Sequence, residues 1–392
     1  MTRNKYFIPL VLLTSLFFLW GFAHSILDVL NKHFQEVLVI SKANSALIQA
    51  VVYGGYFLMA LPAGFFIKRL GYRMGVVFGL LLYGIGALLF IPAEKVMSFS
   101  FFLFSLFVIG CGLTFLETAA NPYVTELGEK DGAARRLNLA QSFNGLGWIF
   151  GPLVGGLLIF QADGSHGSAA FPYTLIGIVV LMVAMVFMKV RLPEIRTEEK
   201  AGRDKNPASM WMNRIFVFGV IAQFFYVGAQ TGINSFFINY VTEINPGIGP
   251  RTASLILSFG GMGLFMSGRF LGSWLMGYIK PARLLGIAAA GAALCMTVVI
   301  AAIPTVSMIA LFMTYLFESI MFPTIFALSI AGLGVHTKQG SSLLIMAIVG
   351  GAVAPYLMGL LGETNMAAGF VIPLVCFLVV LAFSRFVRKS LT

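Results

Sequence analysis

Long apolar stretches recur along almost the whole chain. Twelve of them are long enough to cross the hydrocarbon core of a bilayer as α-helices, which takes about 20 residues. Charged residues make up only 10% of the chain, against roughly 25% in a soluble domain. The sequence therefore predicts an all-α membrane protein with twelve transmembrane helices. We call the stretches spans 1 to 12, and they cover residues 7–30, 45–67, 74–92, 98–124, 137–160, 171–190, 214–241, 251–279, 282–303, 306–334, 340–361 and 367–387.

Lys and Arg are distributed unevenly among the segments that connect the spans. If both termini are cytoplasmic, 21 of the 26 basic residues fall on the inner side and four, Lys32, Lys42, Lys95 and Arg251, on the outer side. Arg269 lies within span 8. An excess of basic residues marks the cytoplasmic side, so we expect cytoplasmic termini in a bacterial inner membrane. The net charge of +11 then reflects topology. It does not indicate nucleic-acid binding, which needs a clustered basic surface.

Two similar motifs suggest an internal repeat. Span 4 carries LETAANP, in which Glu117 precedes Pro122 by five residues, and span 10 carries FESIMFP, in which Glu318 precedes Pro323 by five. The two glutamates are 201 residues apart, about half the chain. This order predicts a parallel repeat, in which two six-helix halves are related by a pseudo-twofold axis along the membrane normal.

The boundaries of the halves follow from the longest polar stretch. Residues 191–213 are charged, contain two prolines and lack an apolar period, which is typical of a linker. We predict an N-terminal six-helix bundle at 1–190, a cytoplasmic linker at 191–213 and a C-terminal six-helix bundle at 214–392. Transporters built this way bind substrate near the bilayer midplane, between the halves.

Three acidic residues, Asp28, Glu117 and Glu318, lie well inside apolar spans. A charged group at the bilayer centre costs about 2.5–3.5 kcal/mol on insertion scales, and such residues usually mark a substrate or ion pathway. The alternative is a structural acid paired with a neighbouring side chain or backbone group.

Trp20, His24 and Asp28 follow each other at intervals of four residues in span 1, so they lie on one side of the helix. An aromatic ring beside polar groups suits a sugar, which stacks through its C–H face and donates its hydroxyls to an acid. Trp20 could instead be a packing residue or an interfacial anchor. His24 could titrate near neutral pH or act as a neutral hydrogen-bonding group.

Other polar or aromatic side chains fall at membrane depth with helical spacing. Their arrangement favours a polar lining, although amides in membranes also join neighbouring helices. These further candidates for substrate binding are Asn121, Gln141, Asn144, Gln230, Asn234 and Phe322.

The sequence contains no nucleophile with an adjacent base, no metal-ligand spacing and no phosphate-binding GxxxxGK[ST] loop. We therefore expect neither an enzyme nor a bound cofactor or metal. An ion gradient is the simplest energy source, with a buried carboxyl group as the proton carrier.

At these residues the sequence resembles a known family. WGFAHSILDVLNKHFQ, LETAANPYV and RRLNLAQSFNGLG are similar to segments of the L-fucose–proton symporter family, sugar permeases of the major facilitator superfamily. The resemblance implies the twelve-helix fold of that superfamily. It also implies that Asp28 and Glu117 are the functional carboxyl groups, and that Trp20, Gln141 and Asn144 contact the sugar.

Three positions depart from the family pattern. Lys68 occupies the place of the usual Asp in the loop GFFIKRLGYR between spans 2 and 3. The polar pair before the acid of span 1 is His24–Ser25, which bears on the choice of sugar. Glu318 adds an acid in span 10, as a sugar contact or a second coupling carboxyl group.

The sequence thus predicts a proton-coupled importer of a monosaccharide, a hexose or 6-deoxyhexose such as L-fucose, glucose or galactose, working by alternating access. Asp28 and Glu117 are the predicted proton-coupling residues. Sodium coupling is the first alternative, a drug–proton exporter of the same fold the second, and a membrane enzyme or sugar sensor the third. The expected partners are the sugar and the bilayer, and we expect a monomer.

Overall fold

The computed structural model describes residues 7–126, 133–160, 167–190, 208–331, 333 and 337–390. All of its regular elements are helices. The chain divides into two compact units, one made of Met1–Leu38 with Val51–Glu198 and the other of Val39–Ala50 with Glu199–Thr392. The predicted domain boundaries stay a prediction, and linker residues 191–207 lie outside the described part.

The first unit contains spans 1 to 6, except for residues 45–50 at the start of span 2, which belong to the second unit. Its helices are Phe7–Val37 for span 1, Leu47–Leu88 for spans 2 and 3, Phe90–Val96, Phe99–Glu126 for span 4, Ala133–Leu158 for span 5 and Ala170–Lys189 for span 6.

The second unit contains spans 7 to 12. Span 7 is Arg214–Ile244, and span 8 joins Pro250–Ile256, a π-helical turn at Leu257–Met262 and Gly263–Leu275. Span 9 is Pro281–Ile300, and span 10 joins Pro304–Glu318 to Met321–Ile330. Span 11 joins Thr337–Met346, a 3₁₀ turn at Ala347–Val349 and Gly350–Leu361, and span 12 is Val371–Ser390. Short helices at Lys42–Ser45, Ala208–Met212 and Met366–Gly369 complete the unit.

The prediction of twelve spans is confirmed. Eleven described segments are long and apolar enough to cross a membrane, and a shorter apolar helix, Ser142–Leu158, lies in span 5. Span 1 runs further than predicted because a helix can continue beyond the hydrocarbon core once its side chains are polar. Lys32 and Glu36 pair there across one helical turn, with 3.1 Å between Nζ and Oε1.

Spans 2 and 3 meet without a long loop. The backbone turns at Gly71, whose φ of 86° lies in the left-handed region that favours glycine. Arg73 follows, and its guanidinium donates to the carbonyls of Phe187, at 3.1 Å, and Met188 near the end of span 6. A cation is favourable there because the last carbonyls of a helix lack partners and carry partial negative charge. The junction therefore also holds span 6.

Glycines set the distance between spans 1 and 5. A Cβ atom on Gly151 would collide with the hydroxyl of Ser25 and lie 2.8 Å from the backbone nitrogen of Ile26. The Ser25 hydroxyl in turn donates to the carbonyl of Gly147 at 3.1 Å. Small residues spaced by four allow helix backbones to approach closely in membranes. The spacing brings the polar side chains of the two helices within reach of each other.

Spans 7 and 11 repeat this packing in the second unit. A Cβ atom on Gly350 would collide with the carbonyl of Phe224, and one on Gly228 would lie 2.9 Å from the Cβ of Ala354. Spans 7 and 11 are the first and fifth spans of the second half, as spans 1 and 5 are of the first half. Each half therefore has the same close helix pair. The internal repeat is therefore visible in packing as well as in sequence.

The start of span 2 is anchored in the second unit. Lys42 Nζ lies 2.6 Å from Glu243 Oε1 and donates to the carbonyl of Gly362 at 2.8 Å. The carboxyl group of Glu363 accepts from the backbone nitrogens of Lys42 and Ala43 at 3.3 and 3.4 Å. These bonds explain why Val39–Ala50 groups with the second unit.

The glycine packing predicts opposite effects for two Gly-to-Ala substitutions in the first unit. Gly151→Ala should destabilise the protein by about 1–3 kcal/mol, the usual cost of overpacking. Gly64→Ala is the matched control because, among the described residues, its added methyl group meets no atom within 4 Å beyond its chain neighbours and the backbone of its own helix. It should be neutral or stabilising by about 0.5–1 kcal/mol. Thermal unfolding in detergent would compare them. Equal melting temperatures would contradict close packing at Gly151.

Candidate functional site

The first unit holds a group of aromatic and titratable side chains that we call the aromatic cluster. It joins four spans, and its members are Trp20 and His24 of span 1, Tyr53 and Tyr56 of span 2, Glu117 of span 4 and Trp148 of span 5.

His24 lies at the centre of the aromatic cluster. Its Nε2 is 3.1 Å from the hydroxyl of Tyr56. Its ring stacks on Trp148, with 6.1 Å between centroids and an interplanar angle of 14°. Trp20 meets it edge-on at 6.4 Å, and Tyr53 lies at 5.6 Å. The imidazole is therefore enclosed by rings and exposes only 7% of its surface.

Tyr56 links the histidine to the buried acid. Its hydroxyl forms hydrogen bonds with the carboxyl group of Glu117 and with the indole of Trp20, in addition to the contact with His24. A phenol has one proton to donate. If Tyr56 donates to ionised Glu117, His24 must donate its Nε2 proton to Tyr56. If Glu117 is protonated, it can donate to the Tyr56 hydroxyl, and Tyr56 can then donate its own proton to Nε2 of His24. The protonation of Glu117 is thus linked to the tautomer of His24.

Asp28 is buried, at 2% exposure, and its neighbour is a residue outside the aromatic cluster. It is close enough to the Tyr173 hydroxyl of span 6 to interact with it electrostatically. The structure therefore brings Trp20, His24 and Glu117 together, with Asp28 further along span 1. Two buried carboxyl groups occupy separate surroundings in the same half.

Asn144 is buried between spans 5 and 1. Its Nδ2 donates to the carbonyl of Phe17 at 3.1 Å. The amide donor therefore joins two helices, and Oδ1 is the group left for other contacts. The side chains of Asn121 and Gln141 lie outside the described part of the structure.

A polar stripe runs along span 7 in the second unit. It consists of Gln223, Tyr226, Gln230 and Asn234, at intervals of three or four residues. Gln223 is fully buried, and neither its amide nitrogen nor its oxygen has a hydrogen-bond partner among the described residues. Asn234 is buried and its Oδ1 also lacks one, whereas Gln230 is half-buried. The stripe offers several polar atoms for recognition.

Span 10 lies against this stripe. The Tyr226 hydroxyl donates to the backbone carbonyl of Glu318 at 2.9 Å, and its ring lies 6.3 Å from that of Phe322. The Glu318 side chain is fully buried, and both carboxyl oxygens lack a hydrogen-bond partner within the described residues. The second unit thus contains its own buried acid.

Sequence reasoning missed Tyr53, Tyr56 and Trp148 in the first unit and Gln223 and Tyr226 in the second. Tyr53 and Tyr56 are spaced by three in an apolar helix, and Trp148 follows Asn144 by four, so helical spacing could have suggested them. The contacts themselves depend on how the helices pack. In the part of the chain that is described, no three His, Cys, Asp or Glu side chains converge as a metal site requires.

The profile of the Major Facilitator Superfamily matches residues 11–346. The chain belongs to this superfamily. It is 37% identical to the glucose/galactose transporter of Brucella abortus, covering 99% of this chain and 96% of that protein. It is 38% identical to the L-fucose-proton symporter of Escherichia coli K12, covering 99% and 95%. It is therefore an integral, multi-pass membrane protein.

A solved structure agrees with the fold. The crystal structure of the E. coli fucose:proton symporter aligns with a TM-score of 0.72 at 37% sequence identity, over 98% of this chain and 99% of that one. The predicted twelve-helix fold of the superfamily and the resemblance to its sugar permeases are both confirmed.

The bond between Asn144 and Phe17 predicts a structural effect in the absence of any substrate. Asn144→Ala should lower the stability of the sugar-free protein by about 0.6 kcal/mol, the average for bonds between membrane helices. The control is Ser267→Ala, since the Ser267 hydroxyl donates to the Gly263 carbonyl within its own helix. Melting temperatures in detergent would compare the two. No difference between them would contradict a helix-joining role for Asn144.

Proposed function

We propose that this chain is a proton-coupled importer of a monosaccharide, a hexose or 6-deoxyhexose such as L-fucose, glucose or galactose, that works by alternating access. The observation that carries the proposal is the aromatic cluster, in which the hydroxyl of Tyr56 links buried Glu117 to His24 and Trp20. The names of the relatives, a glucose/galactose transporter and an L-fucose-proton symporter, point to the same class of substrate.

The chemistry of the aromatic cluster suits a sugar. Indole and phenol rings offer flat apolar faces for the C–H side of a pyranose and polar groups at their edges. His24 and Glu117 supply a donor and an acceptor for hydroxyl groups. Asn144 contributes the oxygen of its amide, and Gln230, Asn234 and Phe322 are the proposed sugar contacts of the second half.

The unbroken helix of span 1 favours proton coupling over sodium coupling. Transporters hold Na⁺ with backbone carbonyls freed where a helix unwinds. Span 1 is one unbroken helix, Phe7–Val37, so the carbonyls around Asp28 are used within the helix. A carboxyl group can carry a proton without a set of free backbone carbonyls around it. Asp28 and Glu117 are the proposed proton-coupling residues, and the chain requires no bound cofactor or metal.

Drug export and enzymatic catalysis fit the buried side chains less well than sugar import does. A drug–proton exporter needs an apolar cavity for cationic amphiphiles, whereas the aromatic cluster contains an imidazole, a carboxyl group and phenol hydroxyls. An enzyme needs a nucleophile or metal with its base, and neither group of buried side chains supplies that set. The proposed location is the bacterial inner membrane, with both termini cytoplasmic and the protein acting as a monomer.

The coupling ion is tested by sugar uptake into proteoliposomes with one gradient at a time. An inward proton gradient in sodium-free potassium buffer should drive accumulation of a labelled hexose or 6-deoxyhexose. An inward sodium gradient at equal pH should not. Accumulation with sodium alone would replace the proton in the proposal, and uptake of no sugar under either gradient would overturn it.

Neutral variants of the two acids should separate coupling from binding. In Glu117→Gln and Asp28→Asn we expect at least a ten-fold loss of accumulation driven by a proton gradient, while sugar exchange without net proton movement continues. Glu36→Gln makes the same chemical change in a partly exposed surface pair, which contributes little, and should keep full accumulation. Undiminished gradient-driven uptake in both acid variants would exclude them as proton carriers.

A further inference from the structure

Glu318 is a buried carboxyl group that the proposed coupling by Asp28 and Glu117 does not use. It is fully buried, and within the described residues its carboxyl oxygens have neither a hydrogen bond nor an ion pair. An ionised carboxylate in such surroundings is strongly disfavoured because nothing replaces its lost hydration. In this structure the group is therefore best described as the neutral acid.

Span 10 is interrupted directly after this residue. The helix Pro304–Glu318 ends there, and the next begins at Met321. Pro323 has no backbone N–H, so the carbonyl of Ser319, four residues earlier, loses its normal helical partner. A freed carbonyl inside a membrane protein must find another donor.

A cation supplies that donor. Arg269 of span 8 donates from Nε to the Ser319 carbonyl at 3.3 Å, and its Cζ lies 4.8 Å from the centre of the Phe265 ring. The carbonyl of Glu318 itself accepts from Tyr226. The two carbonyls at the break are thus occupied, one by a positive charge, which makes the break a poor site for Na⁺. Arg269, which carries a permanent positive charge, is thus bonded to Ser319, the residue that follows the neutral acid Glu318.

Within the described part of the chain, three other spans bring titratable groups to this region. Span 7 contributes Tyr226, span 8 contributes Arg269 and span 9 contributes Cys295, which lies beside Thr314 one turn before Glu318. A thiol and a phenol are neutral at physiological pH. Arg269 is therefore the group among these that can compensate a negative charge on Glu318.

We infer that Glu318 carries a second coupling proton in the C-terminal half and that Arg269 is its counter-ion. When Glu318 releases its proton to water, the carboxylate attracts the Arg269 guanidinium away from the Ser319 carbonyl, and reprotonation returns Arg269 to the helix break. This inference rests on the proposed proton-coupled sugar transport, in which Asp28 and Glu117 together move one proton per sugar. The proton of Glu318 makes it a transport of two protons per sugar.

The test is the proton-to-sugar ratio of the full-length protein in proteoliposomes with the membrane potential held at zero. The sugar gradient that stops net flux is measured at a fixed pH difference. For about one pH unit, two protons balance a gradient of about 100-fold and one proton a gradient of about 10-fold. Wild type should balance about 100-fold, and Glu318→Gln, which keeps the shape of the side chain, about 10-fold.

Ser319→Ala is the matched control. It changes the neighbouring residue, whose hydroxyl donates to the Leu316 carbonyl of its own helix. It leaves every titratable group in place, so it should balance about 100-fold. A 10-fold balance in wild type, an unchanged ratio in Glu318→Gln, or a folded Glu318→Gln that no longer binds sugar would each overturn the inference. The first two outcomes leave the proposed symport intact. Wild type without any proton-driven sugar flux would instead refute the proposed function.

The wild-type ratio does not require any variant to fold, so the inference remains testable if Glu318→Gln is unstable. Folding of each variant is checked by its melting temperature, and sugar binding by quenching of tryptophan fluorescence, since Trp20 and Trp148 lie in the aromatic cluster.

Discussion

The structure depends on satisfying polar groups where no water is available to do so. Inside hydrocarbon, each backbone N–H and carbonyl must find a partner within the protein, and helices meet this requirement through most of the described part of the chain. The exceptions are informative. Pro323 removes one helical bond in span 10, and Arg269 fills the gap from span 8. Arg73 does the same for the last carbonyls of span 6. Basic side chains placed inside or at the edge of the bilayer thus complete the backbone bonding of neighbouring helices, and their charge becomes available to buried acids.

Close helix packing then determines which side chains meet. Glycines in spans 5 and 11 bring those helices against spans 1 and 7 in the two halves. The approach places Trp148 on His24 and the Asn144 amide on the carbonyl of Phe17. The site in the first half is therefore a result of glycine spacing as much as of its polar residues, because a wider separation would leave the same side chains out of contact. Stability and recognition are built from the same helix pair.

The apolar runs were sufficient to predict the twelve spans, because the thickness of the bilayer imposes a length that sequence alone reveals. The buried acids were predictable for the same reason, since charge inside such a run is rare. The partners of those acids were not. Trp20 and Asp28 are eight residues apart, which rotates them by about 80° around the helix at 3.6 residues per turn. Asp28 consequently lies towards Tyr173, whereas His24 meets Tyr56 and Trp148. Contacts between helices depend on packing, which no local pattern encodes.

The proposed mechanism requires that sugar and proton enter the cell together. Its most direct test is the pH of a weakly buffered, sodium-free suspension of energy-depleted cells producing the protein, followed as L-fucose, D-glucose, D-galactose, D-mannose and N-acetylglucosamine are added in turn. Proton symport predicts a transient rise in external pH with at least one of these sugars, and no rise in cells that lack the protein. Entry of labelled sugar into these cells without any change in external pH would contradict it.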